Sequence, residues 1–125
     1  VLYCLANARH PEQVDEMRRL DAAGACVLCD IRTGLFTTHW VVAPNRYPYP
    51  DAVTHLLLVP RRHLTDLRDL STAERSDFWC GLDLARGFYG IDDFQLRVRC
   101  GDMQRTGATI AHLHVHLIVR GATGA

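Results

Sequence analysis

The chain contains no lysine; its fourteen Lys+Arg positions are all arginine. Schiff-base catalysis is therefore excluded, and so is a Walker-type phosphate loop, whose lysine reaches the terminal phosphates. An anion bound here must be held by arginine, histidine, hydroxyls or backbone amides. Long apolar runs are missing too. The longest, His55-Leu56-Leu57-Leu58-Val59, is strand-sized and far short of the roughly 18 residues of a membrane span. No charge of one sign prevails, because 14 acidic residues balance the arginines. A global basic field for a nucleic acid polymer is absent, and Arg61-Arg62 is too short to count as a tract. No cationic segment followed by an apolar core opens the chain. The five cysteines, Cys4, Cys26, Cys29, Cys80 and Cys100, are an odd number. Together these features give the expectation of a cytoplasmic protein with reduced thiols, some of them on metal.

What is present suits one globular domain over 1–125: 125 residues, 48% of them hydrophobic. Pro11 opens a helical pattern to about Ala23, with Gly24 as its stop. Leu35 to Ala43 is rich in β-branched and aromatic residues and reads as a strand. The prolines of 44–51 require a loop. Val53 to Val59 reads as a central strand. Ser71-Thr-Ala-Glu74 is a capping box for a helix to about Tyr89, closed by Gly90. Asp93 to Cys100 sets Phe94, Leu96, Val98 and Cys100 against Gln95, Arg97 and Arg99, the alternation of a half-buried strand. Ile110 to Val119 is the last strand. The fold class is α+β with a largely antiparallel sheet. Trp40, Phe78 and Trp79 are expected in the core, and Cys4, Cys80 and Cys100 as buried small apolar residues.

The densest chemistry lies in His112-Leu-His114-Val-His116. Alternate side chains of a strand share a face, so the three histidines line one side, about 6.6 Å apart, and Leu113, Val115 and Leu117 pack on the other. Three imidazoles need polar partners, which places their face on a site rather than in a dry core. Metal binding by all three is another option, disfavoured because that spacing is too wide for easy tridentate binding of one zinc ion. Cys26-x-x-Cys29 is ambiguous between a redox dithiol and half a metal site. A Cys₂His₂ zinc site could be completed by His63, after the second strand, and His112. Four protein ligands would make it closed and structural.

These pieces, with GATIA before the triad and THLLLVPRRHLTDL upstream, resemble the histidine-triad (HIT) superfamily of nucleotide hydrolases and transferases. The resemblance spans roughly Cys26 to Arg120 and places the domain core at about 24–120. It implies a five-stranded sheet with a main helix and an N-terminal helix. The CxxC with downstream histidines is similar to zinc-containing members and, distantly, to galactose-1-phosphate uridylyltransferases. It implies that His114 attacks an α-phosphorus to form a nucleotidyl-histidine, that His116 orients it, and that His55 supports the triad. It also implies that Cys26, Cys29, His63 and His112 hold structural Zn²⁺ and that Asn45 binds ribose. Thr109, with the amides around Gly107 to Ile110 and with Arg105, would hold phosphate. The implied substrate is a nucleoside phosphate ester, phosphoramidate or dinucleotide, with hydrolysis favoured over transfer, and the implied assembly is a homodimer. Where many relatives carry a polar residue this chain has Ala108. That motivates an alternative, a non-catalytic nucleotide-binding module with a structural zinc site.

Overall fold

The computed structural model describes residues 2–122. Helix α1 (Pro11–Ala22) precedes strands β1 (Leu35–Phe36), β2 (Trp40–Pro44) and β3 (Ala52–Pro60), helix α2 (Thr72–Tyr89), strand β4 (Gln95–Val98), the short helix α3 (Met103–Thr106) and strand β5 (Val115–Arg120). The strands form one antiparallel sheet in the order β1-β2-β3-β5-β4. The fold is α+β, as the sequence suggests.

The local signals act where expected. Pro11 occupies the first turn of α1, and Gly24 follows its end in the left-handed region at φ +65°. Ser71 accepts from the Glu74 amide while Glu74 reaches back to the Ser71 amide, and Gly90 at φ +64° stops α2. Glu74 also takes both ends of the Arg62 guanidinium, at 2.8 and 3.2 Å. Arg62 is thus a structural partner of α2.

Period-two patterning divides the sheet into two faces. Trp40, Val42, Leu56, Leu58, Val115 and Leu117 point to α2 and form the main core with Leu82, Ala85 and Ile91. Val41 and Val59 on the opposite face pack against Leu28 in a smaller cluster. The second face is covered by the N-terminal third of the chain, and it carries the chemistry.

Several expectations are corrected. The strand read over 35–43 is two strands around a turn at 37–39. Asp77 of α2 pins that turn, with one carboxylate oxygen accepting from the Thr37 hydroxyl and the His39 amide, each at 2.7 Å. The last strand starts at Val115, not Ile110. Before it, the Leu113 and Ala111 amides donate to the Leu64 and Leu2 carbonyls, which lie outside the ladder. Trp79 is not core: it is 62% exposed on the outer side of α2, while Phe78 packs edge-on against Trp40 at 5.1 Å. Cys80 is exposed, and Cys4 and Cys100 are half-buried. Strand β4 is the sheet edge and is covered on neither face, so Leu96 and Val98 stay exposed. Alternation reports which side chains share a face but not whether another element covers that face.

Gly34 sits at the start of the β1–β2 hairpin with φ +150°, and a Cβ there would run into the Val42 carbonyl oxygen. The obstacle is backbone and cannot rotate away. Gly34→Ala is therefore expected to cost about 2 kcal/mol or more. Thermal melts of the two proteins test this, and an unchanged midpoint would refute it.

Candidate active site and metal cluster

The second face of the sheet brings five elements together. In register, Leu57 of β3 and Arg97 of β4 lie directly opposite His116 of β5, and His55 lies two residues along β3 from Leu57. His114, just before β5, places its ring centroid 5.0 Å from that of His116. Beyond these histidines opens a cavity of about 580 Å³, a size suited to a nucleotide-sized ligand. His114, His116, Asn45, Tyr49, Arg99, Gly107 and Thr109 contribute to its wall. Gln13, Glu16 and Met17 of α1 contribute as well.

The hydrogen bonds fix a chain of neutral imidazoles. The Tyr49 amide donates to His55 Nδ1 at 3.1 Å, so a neutral His55 carries its proton on Nε2. That proton points to His116 Nδ1, 2.8 Å away. His116 then holds its own proton on Nε2. His114 Nδ1 lies 2.7 Å from the His112 carbonyl oxygen, which can only accept. The His114 proton is therefore on Nδ1, and Nε2 keeps a bare lone pair. Burial holds all three in the neutral state. His55 is pushed down to about 4 by burial and by the charges of Arg9 and Arg97. His116 is pushed down to about 2 by burial, then by its histidine neighbours and Arg99. Burial also lowers His114, with Arg99 adding to the effect. A neutral imidazole with a fixed tautomer is the nucleophilic form of histidine.

Asn45 is brought to the same place. Its Oδ1 accepts from the Tyr47 amide at 2.9 Å, and its Nδ2 is 3.2 Å from His55 Nε2. With the His55 proton on Nε2 the two nitrogens are both donors, so this is a packing contact, and the Tyr49 amide is what ties the proline-rich loop to the histidine chain. Arg105 is exposed on α3 and is absent from the cavity wall, where Arg9, Arg32, Arg46 and Arg99 are found instead. Two amides in the Gly107–Ile110 stretch are already used. The Gly107 amide donates to the Met103 carbonyl at 3.0 Å and the Ala108 amide to the Thr106 hydroxyl at 3.2 Å. Both are local bonds of the α3 turn, which residue spacing alone does not reveal.

Sequence reading missed Tyr49 and the N-terminal wall. The Tyr49 ring lies 4.4 Å from His55 and stacks at 5.7 Å on His116. Arg46 and Tyr47 both bond Glu16 of α1, and Asn7 donates to the Met103 and Ala108 carbonyls. The usable signal was the Arg97-x-Arg99 alternation, which puts both arginines on the histidine face once β4 is paired with β5.

Two residues before His114, His112 converges with Cys26, Cys29 and His63, their ligand atoms all within 4.8 Å of one another. Cys29 Sγ is 3.1 Å from His63 Nδ1 and 3.4 Å from His112 Nδ1, and Cys26 Sγ is 3.5 Å from His112 Nδ1. The His112 Nε2 proton points to the Pro60 carbonyl oxygen at 2.9 Å, so Nδ1 offers its lone pair to the cluster. A backbone carbonyl behind a ligating ring is the usual outer partner of a metal-bound histidine. The CxxC lies on a 3₁₀ turn, Val27–Asp30, and not at the start of an α-helix, where redox pairs sit. Burial and Cys26 push the Cys29 thiol up to about 11, opposite to an activated redox cysteine. The geometry is thus that of a cluster able to hold a metal ion rather than of a redox pair at a helix start.

Comparisons with known proteins agree with this architecture. The HIT domain family model matches residues 39–123. An uncharacterised HIT-like protein of Chlamydia muridarum is 29% identical over 79 residues, covering 61% of this chain and 62% of that protein. The chain therefore spans less than two thirds of that relative's length. A zinc-bound histidine triad family protein from Mycobacterium smegmatis superposes with a TM-score of 0.59 at 19% identity, over 79% of this chain and 77% of that one. The diadenosine triphosphate hydrolase of Plasmodium falciparum superposes with a TM-score of 0.57 at 23% identity, over 70% of this chain and 59% of that one.

Proposed function

We propose, from the premise that this chain belongs to the HIT domain family, that it is a nucleotidyl hydrolase whose nucleophile is His114. The observation that carries the reading is the tautomer of His114. Its Nδ1 proton is committed to the His112 carbonyl, and its Nε2 lone pair belongs to a side chain in the cavity wall.

In the first step Nε2 attacks the α-phosphorus of a nucleoside phosphate ester, phosphoramidate or dinucleotide. A phosphorus–nitrogen bond forms, the bond to the leaving group breaks, and the leaving group departs with its electron pair and takes up a proton. In the second step water attacks the same phosphorus, the phosphorus–nitrogen bond breaks with its electron pair returning to Nε2, and the water's proton leaves to solvent. Two displacements replace one harder substitution. His116 presents its Nε2 proton beside the reacting centre and is held there by His55, which the Tyr49 amide holds in turn. Most of the acceleration at such a centre comes from positioning and charge stabilisation. Asn45 would meet the ribose, and Thr109 with Arg99 would meet the phosphate oxygens.

The cysteine–histidine cluster fits Zn²⁺. Zinc bonds of about 2.0–2.3 Å in a tetrahedron give donor-to-donor edges of about 3.3–3.8 Å, close to the four separations of 3.0–3.5 Å here, with all donors within 4.8 Å of one another. Cys26, Cys29, His63 and His112 would hold the ion, and its role is structural, since four protein donors leave no open position. Fixing His112 fixes the carbonyl that sets the His114 tautomer.

Intact mass spectrometry at neutral pH tests the reading, because the phosphorus–nitrogen bond is acid-labile. Brief exposure to adenosine or guanosine phosphoramidates and dinucleotides is expected to add one nucleotidyl group to the protein, and none to the His114→Ala variant. Nucleotide binding without adduct or turnover would instead favour a non-catalytic binding module, a reading that Ala108 and the internally bonded amides beside it support.

A further inference from the structure

A leaving group that departs from phosphorus with its electron pair needs a proton, and the histidine chain does not supply one. His116 is neutral, with its proton on Nε2 and with Nδ1 accepting from His55. Giving up the Nε2 proton would make an imidazolate unless His55 replaced it at the same moment. His55 is met at Nδ1 by the Tyr49 amide, and a backbone amide has no proton to release. The relay stops there. His114 commits its Nδ1 proton to the His112 carbonyl, and its Nε2 is the proposed nucleophile.

Other acidic protons in the cavity wall are few. Asp30 and Glu16 are paired with Arg32 and Arg46 as carboxylates. The threonine hydroxyls are far weaker acids than a phenol. Three tyrosines contribute to the wall. Tyr3 donates to the Ala25 carbonyl at 2.7 Å, and Tyr47 donates to Glu16 at 3.1 Å. The Tyr49 hydroxyl instead accepts, from Arg99 Nη2 at 3.3 Å, and its own proton meets no acceptor among the described residues. The Tyr49 ring stacks on His116 with centroids 5.7 Å apart. The one uncommitted phenolic proton of the wall thus belongs to the tyrosine packed on the histidine chain.

The charge around that ring is of one sign. The Arg9 guanidinium carbon lies 4.4 Å from the Tyr49 ring centroid and that of Arg97 lies 5.4 Å from it. Arg99 is held in place by the Thr106 carbonyl. None of the three meets a carboxylate among the described residues, whereas Arg32, Arg46, Arg62, Arg68 and Arg120 all do. His55 and His116, the other titratable groups against the ring, are neutral. Burial works against ionising the phenol, but Arg99 and Arg97, then Arg9, outweigh it and bring Tyr49 below the ordinary tyrosine value. An acid is useful when its conjugate base is stabilised, and three guanidiniums stabilise a tyrosinate.

We propose that Tyr49 is the general acid of the first displacement. As the bond between the α-phosphorus and the leaving group breaks, the departing nitrogen or oxygen keeps the electron pair and takes the phenolic proton. Tyr49 becomes a tyrosinate, held by Arg9, Arg97 and Arg99. It then regains a proton from solvent, which balances the proton that the attacking water releases in the second displacement. This role rests on the nucleotidyl-hydrolase reading.

The test compares wild type with Tyr49→Phe on two substrates of one nucleoside, adenosine or guanosine, whichever the wild type turns over faster. One is the 5′-phosphoramidate, whose amine must gain a proton to leave. The other is the p-nitrophenyl ester of the 5′-phosphate, whose nitrophenolate leaves without one. The substitution removes only the hydroxyl; the ring stays on His116 and the backbone amide on His55. The first displacement is read by kcat/KM. It is expected to fall about a hundredfold or more for the phosphoramidate and less than about threefold for the nitrophenyl ester. The nitrophenyl ester thereby also reports that the variant is folded and that His114 still attacks. An equal loss on both substrates, or no loss on either, overturns the proposal, because a hydroxyl that only supports the structure does not distinguish leaving groups. Failure of the hydrolase reading looks different: the wild type itself then forms no adduct on His114 and turns over neither substrate, and the role of Tyr49 falls with it.

Discussion

Replacing His114 with alanine is expected to lower turnover of a nucleotidyl substrate by at least about a thousandfold. The reason is chemical rather than structural. His114 is 7% exposed at the cavity wall, and among the described residues its ring hydrogen-bonds only the carbonyl of His112, two residues before it. Deleting the ring removes the lone pair proposed to attack phosphorus and leaves the remaining apparatus in place. The cluster donors and the His55–His116 pair are untouched by the change. The variant should therefore keep its metal and its nucleotide affinity, and lose kcat far more than KM. Parallel measurement of kcat, of nucleotide affinity and of metal content checks this. Turnover within tenfold of wild type would remove His114 from the mechanism, whatever the adduct experiment gives. His116→Ala should cost less, since His116 donates a hydrogen bond and does not form the bond to phosphorus. His55→Ala should act largely through His116, because His55 is not in the cavity wall and its Nε2 faces that ring.

Removing the metal is expected to have the second large effect. The four donors come from the 26–29 turn, from the segment after β3 and from the segment before β5, so an ion there ties three remote stretches together. Dissociation leaves two thiols and two imidazole nitrogens in close contact with no shared partner. A stability loss of about 3–5 kcal/mol follows, smaller than the full binding energy of zinc to a peptide because the main core on the α2 face is independent of the cluster. For a domain of this size that lowers the melting midpoint by about 10 °C or more. Elemental analysis should give about one zinc per chain, and the chelated protein and Cys29→Ser should both show the loss. A metal-free protein that melts at the same temperature would show that the cluster holds nothing that matters for folding. Activity should fall as well, since His112 supplies the carbonyl that sets the tautomer of His114.

The two faces of the sheet differ in how readable they are. Leu56, Leu58, Val115 and Leu117 announce the α2 face by strict alternation, and the capping box and Gly90 announce the helix that covers it. The histidine run announces the other face in the same way. Side-chain period and helix caps are local, so they are written in adjacent residues. Coverage is not local. Trp79 sits three residues before the buried Leu82, yet it faces solvent, and Leu96 and Val98 alternate correctly on a strand that nothing covers. The turn at 37–39 was hidden because its stabilising carboxylate, Asp77, lies some forty residues away.

The sequence by itself determined which residues can carry the chemistry. The absence of lysine, the His112-His114-His116 spacing and the Cys26–Cys29 pair restrict the options to histidine and arginine chemistry beside thiol donors. Tertiary structure decided everything that depends on partners remote in the chain. Pairing β5 with β3 put His55 against His116 and thereby set a tautomer. Pairing β4 with β5 turned an ordinary polar strand face into arginines beside the triad. Folding of the N-terminal third over the sheet brought Arg9 and α1 to the cavity. Proton positions and charge balance are set by neighbours within a few ångströms, and residues that far apart in sequence become neighbours only when the chain folds.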